Sequence, residues 1–179
     1  MAYSKELRDI VSLLMMTEYR SYIDKIEKLT ASALNASFKR VMINRFQSLI
    51  RACSGIDREF LIEYLRILEF ENVLNIIGEK IGSRSSEELN IIPVGVESIN
   101  YDELLKSRDI EQLIRILRMH DPYSEMRDEI VRRFIEDRNL LLLEYEFYRV
   151  RYNRLLRLIS NFAFMEVRDL LRKFIGMEI

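Results

Sequence analysis

The side chains best suited to acid–base or nucleophilic chemistry are scarce in this chain. It has one histidine, His120, and one cysteine, Cys53. His120 lies beside Asp121 and Pro122 at a predicted helix end, where capping or solvation is the commoner role. A cysteine nucleophile needs a base within reach, and Cys53 lies in an apolar stretch that predicts a small buried side chain. Neither residue predicts catalysis.

Catalysis by a general acid and a general base requires two side chains such as carboxylates, and the chain has several adjacent pairs of them. The adjacent pairs are Glu87-Glu88, Asp102-Glu103 and Glu136-Asp137. Neighbouring side chains on a helix point about 100° apart, so the members of each pair do not converge on one substrate. The sequence contains no phosphate-binding loop, dinucleotide fingerprint or zinc-ligand spacing. We therefore expect no enzyme activity, no cofactor, no metal site and no small-molecule substrate.

One predicted helix carries a basic run of four arginines: Arg149, Arg151, Arg154 and Arg157. Tyrosines alternate with them, and such a mixture can bind nucleic acid. The acidic residues Glu144 and Glu146 precede the run and can pair with it. We favour ion pairs within the chain over RNA or DNA binding, and a basic protein interface stays open.

The composition predicts an all-α protein. The chain has 179 residues, of which 49% are hydrophobic, with only 5 Gly and 2 Pro. Helix formers dominate, and the residues that typify tight hairpins are rare. The 28 basic and 29 acidic residues leave a net charge of −1, so no overall field would attract nucleic acid or anionic lipid. No stretch is apolar enough for a membrane span, and we expect a cytoplasmic protein that reaches a membrane only through other chains.

Apolar periodicity predicts a series of helices, of which the longest runs from residue 58 to residue 82. Asp57 is its predicted N-cap, and its apolar residues require cover on more than one face. A second predicted helix begins at residues 17–19. The other predicted helices span residues 4–16, 38–53, 101–106, 107–119, 123–138, 140–161 and 164–179. Residues 30–37 are predicted to be a loop or junction, and residues 91–96, with Pro93 and Gly95, an extended connection.

The chain also contains an internal repeat. An offset of 109 places residues 40–70 on 149–179, and matches Arg45 with Arg154. Further upstream, with a small shift, Thr17-Glu18-Tyr19 corresponds to His120-Asp121-Pro122-Tyr123. We predict two helical-bundle units, residues 1–96 and 97–179, joined by the short Pro/Gly connection, with the second unit incomplete. Its apolar surface should then be partly uncovered.

Three sequence elements together resemble the central-stalk adaptor of rotary ATPases. The first is a Thr/Asp-x-Tyr element, which contains Tyr19 and, in the second unit, Tyr123. The second lies on the long helix, in a segment with Glu69, Glu71, Asn72 and Lys80 ahead of a glycine. The third is the Ile91-Ile92-Pro93-x-Gly95 connection. Members of the resembling family are known as the C subunit in archaeal A-type ATP synthases and as the d subunit in vacuolar ATPases.

The resemblance implies a non-catalytic adaptor that couples the central axle to the proteolipid ring of a proton- or sodium-translocating enzyme. It implies a protein peripheral to the cytoplasmic membrane, with the axle subunits and the ring as partners. The motif residues would serve structure or partner contact, and for Asn72 we favour a structural hydrogen bond. Gly78 departs from the family, which often has arginine there, and a third unit is absent. The alternative is a stand-alone helical-repeat module that binds protein or RNA.

Overall fold

The computed structural model describes residues 9–26, 30–83, 91–96 and 98–176. Within these ranges the backbone is helical or irregular and contains no strand, which confirms the all-α fold. Helices with both ends described are α1 (Arg20–Ile23), α2 (Ala31–Ala52), α3 (Gly55–Lys80), α4 (Tyr101–Lys106), α5 (Ile110–Arg118), α6 (Asp128–Asp137), α7 (Leu140–Ser160) and α8 (Met165–Gly176). Residues 9–14 are also helical, and Tyr123–Glu125 form a 3₁₀ turn.

The chain divides into two compact units, Met1–Ser48 and Leu49–Ile179, and the division falls within α2. The first unit buries Ile23, Leu34 and Val41. The predicted repeats, 1–96 and 97–179, rest on sequence similarity rather than compactness, and that division stays a prediction. The predicted start of the first helix at Ser4 lies outside the described residues.

Helix α3 is the centre of the second unit, as its apolar pattern predicts. This helix has 26 residues, and its buried side chains lie on more than one side: Leu65, Leu68 and Phe70 point in three different directions and are at most 5% exposed. After Lys80 the chain turns at Gly82, whose φ is +71°, and the Ser83 N–H donates to the Gly78 carbonyl. This hydrogen bond, together with the left-handed glycine, terminates the helix.

The main core forms where α3 meets α4, α5, α6 and α7. Four apolar residues of α5 recur at helical spacing and are all buried: Ile110, Leu113, Ile114 and Leu117. They pack with α3 residues such as Val73 and Ile77 in one hydrophobic cluster. The amphipathic period of α5 therefore identifies its buried face correctly.

The prediction of a loop at residues 30–37 is wrong, because α2 begins at Ala31. Thr30 caps it: the Thr30 Oγ1 accepts a hydrogen bond from the Ala33 N–H at 3.1 Å. Alanines at positions 31, 33 and 36 have the highest helix propensity, and they continue the helix without an apolar period. Leu49 lies on this helix and is 50% exposed, although its spacing from Val41 and Phe46 is that of an apolar helix face.

The predicted continuous helix from 123 to 138 is also wrong. After the 3₁₀ turn, Met126 and Arg127 are extended, and α6 begins only at Asp128. The Arg127 N–H donates instead to the Glu146 carboxylate on α7, at 2.7 Å, which holds the backbone out of the helical path. Asp57 is likewise not the cap of α3. Ser54 holds that place without a side-chain bond, and Asp57 lies in the first turn.

Helix α8 is the least covered element of the second unit. Ile175 is buried in a small cluster with Phe60, Leu155 and Ile159. The exposed apolar side chains of this helix are Met165, Val167, Leu170 and Phe174, and Phe164, directly before the helix, is also exposed. Among the described residues, no helix combines the length and hydropathy needed to cross a membrane.

Candidate functional site

Three charged residues lie in the apolar helix α3 at intervals of one turn. Glu63, Arg66 and Glu69 have relative exposures of 3%, 8% and 1%. The Arg66 guanidinium reaches Glu63 Oε2 at 3.3 Å and Glu69 Oε2 at 3.2 Å, as a spacing of three residues on a helix allows. Buried charges are costly unless paired and hydrogen-bonded, so this row depends on its partners.

Glu69 gathers hydrogen bonds from two other segments of the second unit. It accepts from the Ser98 hydroxyl at 2.7 Å, the Ser98 N–H at 3.1 Å and the Tyr123 hydroxyl at 2.8 Å. Burial raises the pKa of Glu69, although Arg66 and these donors oppose the shift. Burial and the Glu69 charge also raise the pKa of Tyr123 well above its ordinary value. The two motif residues Glu69 and Tyr123 therefore meet in one buried polar site.

Asn72, one turn further along α3, forms hydrogen bonds with both backbone polar groups of Ile92, in the connection that follows α3. Its Nδ2 donates to the Ile92 carbonyl at 2.8 Å, and its Oδ1 accepts from the Ile92 N–H at 3.2 Å. The Nδ2 also donates to the Tyr101 hydroxyl at 3.0 Å. These hydrogen bonds join α3 to the connection and to Tyr101. A partner contact by this residue stays a prediction.

The remaining α3 motif residues lie toward its surface. Lys80 donates to the Ser107 carbonyl at 2.6 Å, where α4 ends and carbonyl groups lack helical partners. Glu71 is partly exposed, and its charge contributes to raising the pKa of Tyr148, behind burial and Glu144. Neither residue joins the buried site around Glu69.

The arginines of the basic run on α7 are held within the chain. Arg154 binds Glu63 at 3.0 Å, Asp121 at 2.7 Å and Glu125 at 2.6 Å. Burial opposes its charge, but these carboxylates outweigh that effect and raise the pKa of Arg154. Arg157 pairs with Glu125 at 2.6 Å. The arginines predicted as a basic interface therefore join α7 to α3 and to the 3₁₀ turn.

A second cluster on α7 centres on Glu146, which is fully buried. Arg127 and Arg149 each bind it at 2.7 Å. Burial alone would raise the pKa of Glu146, but the hydrogen bonds from Arg149 and Arg127 lower it from 4.5 to about 2. Arg151 lies against the Tyr64 and Tyr152 rings, at 5.3 and 5.4 Å.

A cavity of about 350 Å³ borders the ion pairs of Arg154. Its charged lining consists of three arginines and three glutamates, which are Arg66, Arg154, Arg157, Glu59, Glu63 and Glu125. Because the two signs balance in number, the charged lining favours neither an anion nor a cation. Among the described residues, no cluster of three or more His, Cys, Asp and Glu side chains could hold a metal ion. Cys53, predicted to be buried, is half-buried.

The sequence analysis missed Glu63, Arg66 and Ser98. Glu63-x-x-Arg66-x-x-Glu69 does contain a signal, because two ion pairs at helical spacing occur in a stretch otherwise apolar enough to be buried. No sequence pattern indicates Ser98, because it lies 29 positions from Glu69 and meets it only in the folded structure.

The fold and this site define a helical protein whose buried ion pairs fasten one long helix to its neighbours. The family model described as ATP synthase (C/AC39) subunit matches residues 1–179, and the chain belongs to this family. The expectation that the chain is not an enzyme agrees with the family's description as a subunit.

Two curated relatives are similar over most of the chain, and both are named as the C subunit of an A-type ATP synthase. The protein from Desulfurococcus sp. (strain SY) is 19% identical over 156 residues, which are 87% of this chain and 42% of the relative. That from Thermococcus onnurineus (strain NA1) is 20% identical over 182 residues, which are 100% of this chain and 47% of the relative. The chain thus spans less than half the length of either relative. No solved structure is significantly similar to the chain.

Proposed function

We propose that this chain is a non-catalytic adaptor that couples the central axle to the proteolipid ring of a proton- or sodium-translocating rotary ATPase. The observation that carries the proposal is the family match along the whole chain. The protein would lie on the cytoplasmic side of the membrane and reach it only through its partner subunits.

The buried ion pairs suit a part that transmits force. Arg154 joins α7 to α3 and to the segment around Asp121, while Glu69 joins α3 to Ser98 and Tyr123. Several elements are thereby fixed to one helix of 26 residues, about 39 Å long. A load applied to one element would be shared by the others.

The test is assembly with the axle subunits and the proteolipid ring of its own complex. Co-expression with an affinity tag on the axle, followed by native mass spectrometry, should recover this chain with both partners. Recovery with neither partner, from a preparation in which axle and ring assemble normally, would exclude the adaptor function.

The alternative of an RNA-binding module has less support from the contacts. Arg149 and Arg154 pair with carboxylates, and Arg151 lies against tyrosine rings. Phosphate contacts would have to replace these ion pairs. If RNA binding does occur, its affinity should fall steeply with salt and with Arg157 replaced by alanine.

A further inference from the structure

Each compact unit contains a tyrosine, a phenylalanine and an arginine in a similar arrangement. In the second unit these are Tyr123, Phe147 and Arg154, here called the closed cluster. The Tyr123 and Phe147 rings meet edge to face, with centroids 5.3 Å apart. Arg154 pairs with Asp121, two residues before Tyr123.

The corresponding residues of the first unit are Tyr19, Phe38 and Arg45, here called the open cluster. Its Tyr19 and Phe38 rings also meet edge to face, with centroids 5.6 Å apart. Arg45 pairs with Glu18, the residue before Tyr19. Phe38 and Arg45 lie 109 positions before Phe147 and Arg154, which is the offset of the internal repeat. The repeated sequence therefore produces the aromatic contact and the arginine–acid pair in both units. Arg45 in addition lies over the Tyr19 ring, 5.7 Å from its centroid.

Helix α3 covers the closed cluster with three side chains. The Phe70 ring lies 5.4 Å from Tyr123 and 5.0 Å from Phe147. Glu69 accepts the Tyr123 hydroxyl hydrogen bond, and Glu63 binds Arg154 at 3.0 Å. The covering pattern is Glu-x5-Glu-Phe: two glutamates six positions apart, with phenylalanine directly after the second.

The open cluster is exposed where the closed cluster is covered. Phe38 is 38% exposed, against 1% for Phe147, and the side chain of Arg45 is 52% exposed, against 20% for Arg154. Within the described part of the chain, Arg45 has one carboxylate partner, Glu18, whereas Arg154 has three. The open cluster thus has an aromatic surface and a cation with capacity for a further carboxylate.

We propose that Tyr19, Phe38 and Arg45 form a docking surface for one helix of another protein, and that this helix carries a Glu-x5-Glu-Phe pattern. Its first glutamate would pair with Arg45, and its phenylalanine would lie against Phe38 and Tyr19. The second glutamate would accept the Tyr19 hydroxyl hydrogen bond. Charge complementarity and aromatic packing both follow the contacts that α3 makes in the second unit.

A second copy of this chain is not the occupant. The sequence contains the pattern once, at Glu63, Glu69 and Phe70. All three side chains are at most 3% exposed, so α3 would have to leave its own unit to dock elsewhere. The docking surface is inferred from contacts and exposures within this chain and does not rest on the proposed adaptor function.

The experiment measures binding of a fluorescein-labelled peptide with the sequence of residues 57–76 to the whole purified chain by fluorescence anisotropy. The peptide carries the complete pattern, and it would become helical on binding. Binding should saturate, and Arg45→Glu should weaken it about tenfold, as the reversal of a partly desolvated contact does. The matched control is Arg40→Glu, an exposed arginine of the same helix, which should leave the affinity within about twofold.

A charge exchange identifies the contact itself. Replacing Glu63 of the peptide by lysine should weaken binding to the natural chain and restore it to the Arg45→Glu chain. Three results would overturn the proposal: no saturable binding, equal losses with Arg40→Glu and Arg45→Glu, or binding that is insensitive to Arg45→Glu because the peptide replaces α3 in the second unit. Self-association of the chain that Arg45→Glu abolishes would also overturn it, since the surface would then join two copies.

Discussion

The closed and open clusters show how one local sequence pattern behaves in two surroundings. Both bring a tyrosine and a phenylalanine edge to face and pair an arginine with a nearby acid. In the closed cluster, α3 removes the aromatic surface from water and adds Glu63 and Glu69 as partners. Local sequence therefore determines the contact geometry, while the covering helix determines how much each contact contributes to stability.

The largest difference should appear at the two phenylalanines. Phe147→Ala should lower the free energy of unfolding by about 3 to 5 kcal/mol, because it leaves a cavity beside Phe70 and Tyr123. Phe38→Ala should cost about 1 kcal/mol, because water already reaches that side chain. Urea denaturation of both variants, followed by circular dichroism, measures the pair. Equal losses would mean that Phe38 is covered in solution and that the clusters do not differ.

The arginines should differ by somewhat less. Arg154→Ala should cost about 3 kcal/mol, since it leaves the Glu63 carboxylate buried without its partner on α7. Arg45→Ala should leave the free energy of unfolding nearly unchanged, because the ion pair of Arg45 with Glu18 is exposed and screened. The same denaturation experiment applies. A large loss from Arg45→Ala would contradict the open state of its cluster.

Acid sensitivity should be concentrated in the second unit. Glu146 has a folded pKa of about 2, below its ordinary 4.5, so its contribution is present above pH 4.5 and is lost as pH falls toward 2. The loss should be about 2 kcal/mol, less than the full shift implies, because Arg127 is half-exposed and screened. Ser37 stands at the repeat position of Glu146 and does not titrate.

Hydrogen exchange between pH 6 and pH 3 should therefore show protection lost first around α6 and α7. Glu146→Gln is the control, and it should remove most of this pH dependence. Glu69 acts in the opposite direction: because its folded pKa is raised, its ionisation lowers stability as pH rises above 4.5. Earlier loss in α2 would show that the difference between the units has another cause.

The smallest effects should come from the exposed acids. Glu18→Gln and Asp121→Asn should each cost less than about 1 kcal/mol, since both carboxylates are mostly solvated. Their near equality, measured by thermal denaturation, would show that the units differ through α3 and not through these local pairs. A much larger cost at Asp121 would locate part of the difference in the local pair.

Sequence reasoning predicted helices best where apolar side chains recur with a helical period. It identified the buried face of α5 and the burial of α3 on several sides. It failed at residues 30–37, where alanine and a threonine cap form a helix without an apolar stripe. It also failed at Arg127, whose backbone is held by a carboxylate nineteen positions away.

The candidate site was accessible to prediction only in part. Glu69, Asn72 and Tyr123 were singled out through the family resemblance, but the partners of their hydrogen bonds were not predicted. Glu63 and Arg154 are 91 positions apart, and their ion pair exists only because α3 and α7 pack together. Periodicity describes single helices, so such pairs require the tertiary structure.

The hydrogen bonds between Asn72 and Ile92 have a consequence for which substitutions the chain tolerates. One amide group serves as donor to the carbonyl and acceptor from the N–H of the same residue. Aspartate has no donor for the carbonyl, leucine has neither group, and glutamine is one carbon too long for the same position. Position 92, by contrast, presents only its backbone to Asn72, so several apolar residues would serve there, whereas proline would not because it has no N–H. Position 72 therefore requires asparagine, whereas position 92 tolerates several apolar residues but not proline.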